Sequence, residues 1–425
     1  PARLHLPRAP RHGQAPNPGS YNQFGSSVSI SGDTLLVTAW FESSGATGVD
    51  GDPNNSGVVD SSGAAYAFVR DGDGWKQQAY LKANDTTAAD FFGTRADLKG
   101  DTIVIGAIHE GLYEESSGPS RPGAAYVYTR NSGVWSRTQR LAGASQEGAD
   151  LFGAAVSLDA DTLAIGAPWE STGGNQAGAV YIYQRSGSMF SEVQKIKSSK
   201  PAANARFGWS VALDGDHLVV GAPDDPPPHA KTGTAEVFDR RSGMWTPSQF
   251  LQPPTLGAAA NFGYAVAVRG DHVAISAPRF SAFPGSPTPT EPGEVYVFEA
   301  EGDGWKQTAR LVAPFPRNTD WFGLSLGITD TALIVGAPGD ASSGHGIGAD
   351  PSRSDATFSG AAYLFAPTDA GWTQSTFIKA DNADGDDWFG TSVATDGQTL
   401  VIGAQFENGA GTAAPLTSGA VYVFR

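Results

Sequence analysis

The chain has no cysteine among its 425 residues. This absence excludes disulfide bonds, thiolate metal sites and a cysteine nucleophile. Basic residues are scarce as well, since 28 Lys and Arg face 44 Asp and Glu and give a formal net charge of −16. Such a charge repels a phosphate backbone, so we expect no nucleic-acid partner. No apolar run approaches the roughly 20 residues of a membrane-spanning helix, so we expect no membrane insertion.

Known catalytic signatures are also missing. The sequence contains no Gly-x-Ser-x-Gly, His-Glu-x-x-His or phosphate-loop motif, and its seven histidines are scattered. These absences favour a non-catalytic protein. The best catalytic alternative is a polysaccharide lyase or hydrolase built on His109, Glu110, Tyr113 and Arg121, where a base, a carboxylate and an anion-binding arginine are close in sequence.

Glycine and proline are abundant, at 54 and 28 residues, beside 40% hydrophobic residues. This composition is typical of short strands joined by tight turns. A Phe-Gly pair recurs seven times, each time followed by an apolar stretch that ends in Gly-Ala-Pro or a close variant. The phenylalanines of these pairs are Phe24, Phe92, Phe152, Phe207, Phe262, Phe322 and Phe389. A repeat that fills the chain predicts a single domain, residues 1–425, made of seven like units.

One unit predicts four strands. Residues 152–158 alternate large and small side chains, residues 162–168 form an apolar run, and residues 178–183 and 190–197 are rich in β-branched and aromatic side chains. Seven such units predict an all-β, seven-bladed β-propeller of four-stranded antiparallel blades.

The last unit ends after three strands. Residues 2–7 are similar to residues 309–314, which belong to a fourth strand. We therefore expect residues 1–8 to complete the final blade and remove its free edge. A ring closed in this way is expected to be a monomer.

These pairs and their Gly-Ala-Pro partners resemble the FG-GAP repeats, which include the seven-bladed propeller of integrin α subunits. The similarity is greater to the bacterial secreted branch, and it covers essentially the whole chain. It implies an extracellular or cell-surface location and a role in adhesion or recognition, often with calcium, and some related propellers are lectins. Since the chain begins at Pro1, we expect that any signal peptide has been removed.

The calcium loop of integrin-type repeats lies between the Phe-Gly strand and the Gly-Ala-Pro strand. Here that connection is only a few residues long, and a tight hairpin cannot supply the six to eight oxygens that Ca²⁺ needs. The best remaining calcium candidate comprises Asp50, Asp52, Asn54 and Asp60, whose oxygen ligands alternate along the chain. We expect no other cofactor.

The loops after the second and fourth strands are long and varied, so we expect ligands on the side of the ring where they emerge, the GAP-side face. The third residue after the Gly-Ala-Pro alanine is acidic in six units: Glu42, Glu110, Glu170, Asp225, Asp340 and Glu407. The seventh unit has Phe280 there, and the preceding residue is aromatic in four units: Phe41, His109, Trp169 and Phe406.

Aromatic rings beside carboxylates are typical of carbohydrate sites, and an acidic rim also suits a cationic protein partner. We therefore expect a recognition propeller that binds a glycan or an extracellular protein through these residues. Two alternatives remain. The carboxylates could only cap backbone N–H groups of their own loops, and the protein could be a structural component of a surface assembly.

The first strand of the second unit breaks a pattern. Elsewhere one side of that strand has small residues, but here Arg95 and Asp97 occupy those positions. We expect them to form an ion pair along the strand, and the alternative is a functional residue of the central channel.

Overall fold

The computed structural model describes residues 11–54, 57–110, 122–143, 149–224, 232–253, 260–278, 292–369, 371–408 and 417–425. All regular secondary structure in these ranges is β-strand. A helix long and apolar enough to cross a membrane is not found in them.

The strands form seven sheets of four, which we number blades 1 to 7 along the chain. The first strands are Phe24–Ser31, Phe92–Lys99, Ala155–Asp159, Ser210–Asp214, Val266–Arg269, Ser325–Ile328 and Phe389–Thr395. The second strands are Thr34–Ala39, Thr102–Ala107, Thr162–Ala167, His217–Ala222, His272–Ala277, Leu333–Ala337 and Leu400–Ala404. The third strands are Ala64–Asp71, Ala124–Asn131, Ala179–Ser186, Thr234–Arg241, Glu294–Glu301, Ala361–Thr368 and Ala420–Phe424. The fourth strands are Gly74–Leu81, Val134–Leu141, Met189–Ile196, Met244–Leu251, Gly304–Leu311, Gly371–Ile378 and, in blade 7, Arg11–Gly13.

Neighbouring strands of each blade pair antiparallel in the order first to fourth. This arrangement confirms the predicted all-β propeller of seven four-stranded blades. In blade 7 the strand Arg11–Gly13 pairs with Ala420–Phe424, and Gly13 lies opposite Val421.

The register of this strand differs from the sequence expectation. The predicted segment, residues 1–8, lies outside the described residues. The predicted alignment gave Leu4 the position of Leu311, which lies opposite Val295 in blade 5. In blade 7 that position belongs to Gly13.

The residues after the strand explain the observed register. Asn17 reaches into blade 1, where its Oδ1 accepts a hydrogen bond from the Tyr66 hydroxyl at 2.8 Å. Asp85, which follows the fourth strand of blade 1, accepts the corresponding bond from Tyr126 in blade 2 at 3.0 Å. Apolar alternation in a sequence does not reveal such hydrogen bonds, so the similarity of residues 2–7 to another fourth strand was a weak guide.

The repeated glycines form the contact between blades. A Cβ atom on Gly166, the Gly-Ala-Pro glycine of blade 3, would lie 2.0 Å from the carbonyl oxygen of Gly208 in the Phe-Gly pair of blade 4. A Cβ atom on Gly178 would lie equally close to the Phe207 carbonyl oxygen. The Phe207 N–H also donates to Ala177 O at 3.1 Å. Neighbouring backbones therefore pack without an intervening side chain.

The same contact joins blade 7 to blade 1 and closes the ring. A Cβ atom on Gly403 would lie 2.0 Å from Gly25 O. The Ser392 hydroxyl donates to that oxygen at 2.7 Å, and Phe24 N donates to Ser418 O at 2.9 Å.

The phenylalanine of each pair anchors its own blade. In six blades its ring meets a third-strand tyrosine edge-on; Phe24 and Tyr66, for example, have ring centroids 5.3 Å apart. The rings of Phe24 and Tyr66 are fully buried. Edge-to-face pairs contribute about 0.5–1.5 kcal/mol beyond the burial of their area.

Asp97 joins three blades rather than pairing with its neighbour on the strand. Its Oδ1 accepts from the Ser29 hydroxyl of blade 1 at 2.9 Å, and its Oδ2 accepts from Leu158 N of blade 3 at 2.8 Å. The Arg95 guanidinium donates instead to Thr94 O at 2.9 Å. The expected Arg95–Asp97 ion pair is therefore wrong, because the Ser29 hydroxyl and the backbone N–H groups of Leu98 and Leu158 already occupy the carboxylate.

We predict that Gly166→Ala lowers the free energy of unfolding by about 2–3 kcal/mol, because the new methyl group overlaps a backbone carbonyl that has little room to move. Chemical denaturation of both proteins measures the difference. Gly327→Ala is the matched control, since its Cβ atom would lie 3.6 Å from the nearest atom. Equal denaturation midpoints for Gly166→Ala and the control would show that the inter-blade contact is not tight.

Candidate functional site

A central cavity of about 500 Å³ opens where the first strands begin, on the GAP-side face. The third residue after each Phe lines it in all seven blades: Ser27, Arg95, Ala155, Ser210, Ala265, Ser325 and Ser392. Four large aromatic side chains also line it: Trp40, Trp209, Tyr264 and Trp388. The volume is in the range of small-molecule sites, and the lining combines apolar surface with a few polar groups, as such sites do.

The residue before each Phe has a left-handed backbone, with φ between 52° and 58°. These residues are Gln23, Phe91, Leu151, Arg206, Asn261, Trp321 and Trp388. Since all seven blades share the conformation, the fold requires it whatever the side chain. Large aromatic rings at three of these positions are therefore a property of this sequence rather than of the fold.

Half-buried rings cluster at blades 1 and 2. Phe91 lies 5.5 Å from Trp40, 5.4 Å from Phe41 and 5.0 Å from His109, measured between ring centroids. The Trp40 indole N–H donates to Gln23 Oε1 at 2.7 Å, which fixes the orientation of that ring.

A second cluster lies at blades 6 and 7. Trp321 stacks on Phe358 at 5.2 Å, and Trp388 meets Trp321 at 5.1 Å and Phe406 at 4.7 Å. We call the eight rings of the two clusters the aromatic rim: Trp40, Phe41, Phe91, His109, Trp321, Phe358, Trp388 and Phe406.

Trp169 lies apart from these clusters. Its ring is 5.9 Å from the guanidinium carbon of Arg206, and Arg206 forms an ion pair with Asp224 at 2.8 Å. The structure thus brings Phe41 and His109 together through Phe91 and places Phe406 in the other cluster beside Trp388. The sequence analysis selected neither Phe91 nor Trp388.

The predicted carboxylates are buried. Asp225, and Phe280 in the unit without an acid, lie outside the described residues. The exposed fractions of the other five are 2% for Glu42, 6% for Glu110, 0% for Glu170, 0% for Asp340 and 5% for Glu407. At these exposures, direct contact with a ligand would require their loops to move.

In blades 1 and 6 each carboxylate meets a buried lysine. Lys82 Nζ donates to Glu42 Oε2 at 2.8 Å, and Lys379 Nζ lies 3.4 Å from Asp340 Oδ1. Burial lowers the pKa of Lys379 to about 8, although the charge of Asp340 opposes that shift. Breaking such a buried pair costs about 3–5 kcal/mol because it leaves an uncompensated charge.

In blades 2 and 3 the carboxylate also meets basic side chains, one arginine in blade 2 and two lysines in blade 3. Arg140 donates to both carboxylate oxygens of Glu110, with Nε at 3.1 Å. Lys195 and Lys197 donate to the two oxygens of Glu170 at 2.8 and 2.7 Å. Burial acts to raise the pKa of Glu170, but the two ammonium groups outweigh it and hold that pKa at about 2.

Two of these carboxylates also cap their own loops. Thr172 N donates to Glu170 Oε1 at 3.1 Å, and Ser342 N donates to Asp340 Oδ1 at 2.9 Å. In blade 5, a carboxylate on the third strand takes part in an equivalent pair, since Arg310 Nη2 donates to Glu294 Oε1 at 2.6 Å.

Blade 7 has a neutral residue in place of the cation. Gln14 donates to the Ser418 hydroxyl at 3.3 Å, as Lys82 donates to Ser62 in blade 1 at 2.7 Å. Glu407 lies next to Asp387 instead. Burial and the neighbouring Asp387 raise the pKa of Glu407 to about 8.

Three of the calcium candidates accept hydrogen bonds from backbone N–H groups of the protein. Asp50 Oδ1 accepts from Tyr80 N at 2.8 Å, and Asp52 Oδ1 accepts from Asn54 N at 2.9 Å. The Asp60 carbonyl accepts from Ala89 N at 2.7 Å. Within the described ranges, three or more His, Asp or Glu side chains are nowhere placed to hold a metal ion.

Sequence reasoning missed Phe91, Trp321 and Trp388, which hold the aromatic rim together. Their signal was available, because each directly precedes a Phe-Gly pair. The cavity residues Trp209 and Tyr264 were also missed; each comes two residues after its Phe, at a position where other blades have small or aliphatic side chains.

Comparison with known families gives one match. The FG-GAP repeat model matches residues 14–68, 75–128, 135–183, 190–238, 305–365 and 372–424, which is more than half of the chain. The first three strands of blade 5 lie outside these matches, although they form the same sheet as in the other blades. No curated protein matches the chain.

Comparison with solved structures supports the fold. A chain in the crystal structure of the mitotic checkpoint complex is similar, with a TM-score of 0.54 and 12% sequence identity. The alignment covers 100% of this chain and 98% of the other. At this identity the likeness concerns the fold alone.

We predict that the stability contributed by Glu407 falls as pH rises. Its raised pKa means that the folded protein keeps a proton that the unfolded chain releases near pH 4.5, so the contribution is complete below that pH and is lost towards pH 8. The unfolding free energy of the wild type, relative to Glu407→Gln, should fall by at least about 1.4 kcal/mol between about pH 5 and 8. Denaturation at a series of pH values measures this.

Glu170→Gln is the control, because the pKa of Glu170 is shifted in the opposite direction to that of Glu407. Because the pKa of Glu170 is lowered to about 2, its contribution is constant above about pH 4.5 and is lost only in more acidic solution. Parallel stability curves for the wild type and Glu407→Gln from pH 5 to 8 would contradict the assignment.

Proposed function

Because this chain belongs to the FG-GAP repeat family, we propose that it is a non-catalytic recognition propeller that binds a glycan through its GAP-side face. FG-GAP repeats are typical of extracellular and surface proteins, and an extracellular or cell-surface location is part of the proposal. The contact surface consists of the aromatic rim and the central cavity. The observation that carries the proposal is the pair of half-buried ring clusters, each of which reaches the cavity through one member, Trp40 or Trp388.

Half-buried aromatic rings suit a sugar. A half-buried ring that is held by its neighbours and keeps one face open offers a rigid apolar surface on which the C–H face of a sugar can lie. Little conformational entropy is lost on binding, because the neighbouring rings and the Gln23 hydrogen bond already fix Trp40.

The buried carboxylates support this surface indirectly. Phe41, His109 and Phe406 are each followed by one of them. An ion pair or hydrogen bond beneath the loop holds the preceding ring in place at the rim. On this proposal the carboxylates of the predicted site position the rings, and the rings contact the ligand.

The geometry favours binding over catalysis. Glu110 is the described carboxylate of the hydrolase or lyase alternative, and Arg140 engages both of its oxygens. A carboxylate whose two oxygens both pair with an arginine is not free to act on a substrate. Tyr113 and Arg121 of that alternative lie outside the described residues.

We predict that Trp388→Ala reduces affinity for any retained glycan by about tenfold or more, because it removes the ring that joins Trp321 and Phe406 at the rim. A glycan array with neutral and acidic oligosaccharides, followed by calorimetry on the best binder, measures this. Met189→Ala is the control, since this exposed residue begins the fourth strand of blade 3 at the opposite face.

Two results would contradict the proposal. One is an array on which the wild type retains no glycan while a pull-down against surface extracts captures a protein. The other is an affinity that Trp388→Ala and Met189→Ala change equally.

A further inference from the structure

Arg95 is the one charged residue that lines the central cavity in the described part of the chain. It stands at the third position after Phe92, where the other six blades have serine or alanine. The protein has a net charge of −16, so a cation at the centre of the ring is a local exception.

The Arg95 side chain has no ion pair with the described residues. Its hydrogen bond is to the neighbouring Thr94 carbonyl, and Asp97 is occupied by Ser29 and Leu158. By contrast, Arg140 and the other structural cations at the GAP-side face engage buried carboxylates.

Arg95 lines the same cavity as Trp209 and Tyr264. Arg95 belongs to blade 2 and Tyr264 to blade 5, yet the two groups interact electrostatically. Burial raises the pKa of Tyr264, and the charge of Arg95 opposes that shift. Tyr264 in turn meets Trp209 of blade 4 at 5.8 Å between ring centroids. One cation and two adjoining rings thus line one cavity.

The remaining polar lining selects a donor-rich ligand. The Thr94 hydroxyl donates to Phe91 O at 2.6 Å, and the Thr391 hydroxyl donates to Trp388 O at 2.7 Å. With their protons used in this way, both hydroxyls can only accept hydrogen bonds from a ligand.

These features together match one chemical class. A guanidinium binds a carboxylate through two parallel hydrogen bonds. Aromatic faces accept the C–H surface of a pyranose, and hydroxyl acceptors match sugar hydroxyl groups. A carboxylated sugar presents all three groups within a few ångströms of each other.

We propose that Arg95 binds the carboxylate of a uronic-acid residue whose ring lies against Trp209 and Tyr264. This inference rests on the proposed glycan-binding function and names the class of glycan. The acidic sugar enters from the GAP-side face, and the aromatic rim contacts the sugars that follow it.

The test compares uronic-acid oligosaccharides with their methyl esters. Trisaccharides of galacturonate, glucuronate, mannuronate and guluronate, each in both forms, are titrated against the wild type, Arg95→Gln and Arg95→Lys. We expect at least one uronide to bind about ten- to a hundredfold more tightly than its ester, because the ester cannot pair with a guanidinium. Arg95→Gln should remove this difference, and Arg95→Lys should restore only part of it.

Folding is checked by the thermal midpoint, which should not change because Arg95 bonds only to its neighbour's carbonyl among the described residues. The inference is overturned if a neutral or sulfated glycan binds best, or if Arg95→Gln leaves the preference for the free acid intact. Either result leaves the proposed function in place. If the wild type binds no glycan of any kind, the proposed function fails and the inference fails with it.

Discussion

The backbone contact between neighbouring blades is the constraint on which the structure depends. In all seven blades the carbonyl oxygen of the Phe in a Phe-Gly pair lies where a Cβ atom of the glycine facing it would be, as Phe207 O does against Gly178. In five blades the carbonyl oxygen of the Phe-Gly glycine does the same, as Gly208 O does against Gly166. No side chain fits between them, so each blade is held at one distance and angle from the next. Seven repetitions close the ring through Gly403 and Gly25, and they leave the first strands around a cavity rather than a filled centre.

The same constraint determines which residues of the GAP-side face are structural and which are available for recognition. It fixes a left-handed residue before every Phe, and in the five blades where these residues are described a tight turn follows the Gly-Ala-Pro alanine. Buried pairs such as Glu42 with Lys82 then hold these turns from below. Positions above them are free to vary, and there this chain has Phe91, Trp321 and Trp388. In blade 7 the buried pair consists of two carboxylates, which makes that blade sensitive to pH in a way that blade 1 is not.

The fold could be predicted from the sequence because the residues that repeat are the ones that form the contact between neighbouring blades. Phe-Gly spacing and strand periodicity predict seven blades without knowledge of any long-range partner. The site was harder to predict, because its chemistry depends on partners distant in sequence. From the sequence, Glu110 was expected to be a carboxylate that contacts a ligand at the rim. In the structure Arg140, on the fourth strand, engages both of its oxygens. Asp97 was expected to pair with Arg95, but in the structure it accepts a hydrogen bond from Leu158 N of the next blade. Calcium at Asp50 was suggested by alternating oxygens along the chain, but the Asp50 carboxylate accepts a hydrogen bond from Tyr80 N on the fourth strand.

The central claim is that ligands enter the cavity from the face where the first strands begin. Hydrogen exchange with and without the best-binding glycan tests it most directly, because every strand reports separately. The account predicts slower exchange at the amides of residues 26–28, 209–211 and 391–393, with no change at the hairpins 31–34 and 214–217 on the other face. Protection confined to those hairpins, or to the outer strands, would contradict it.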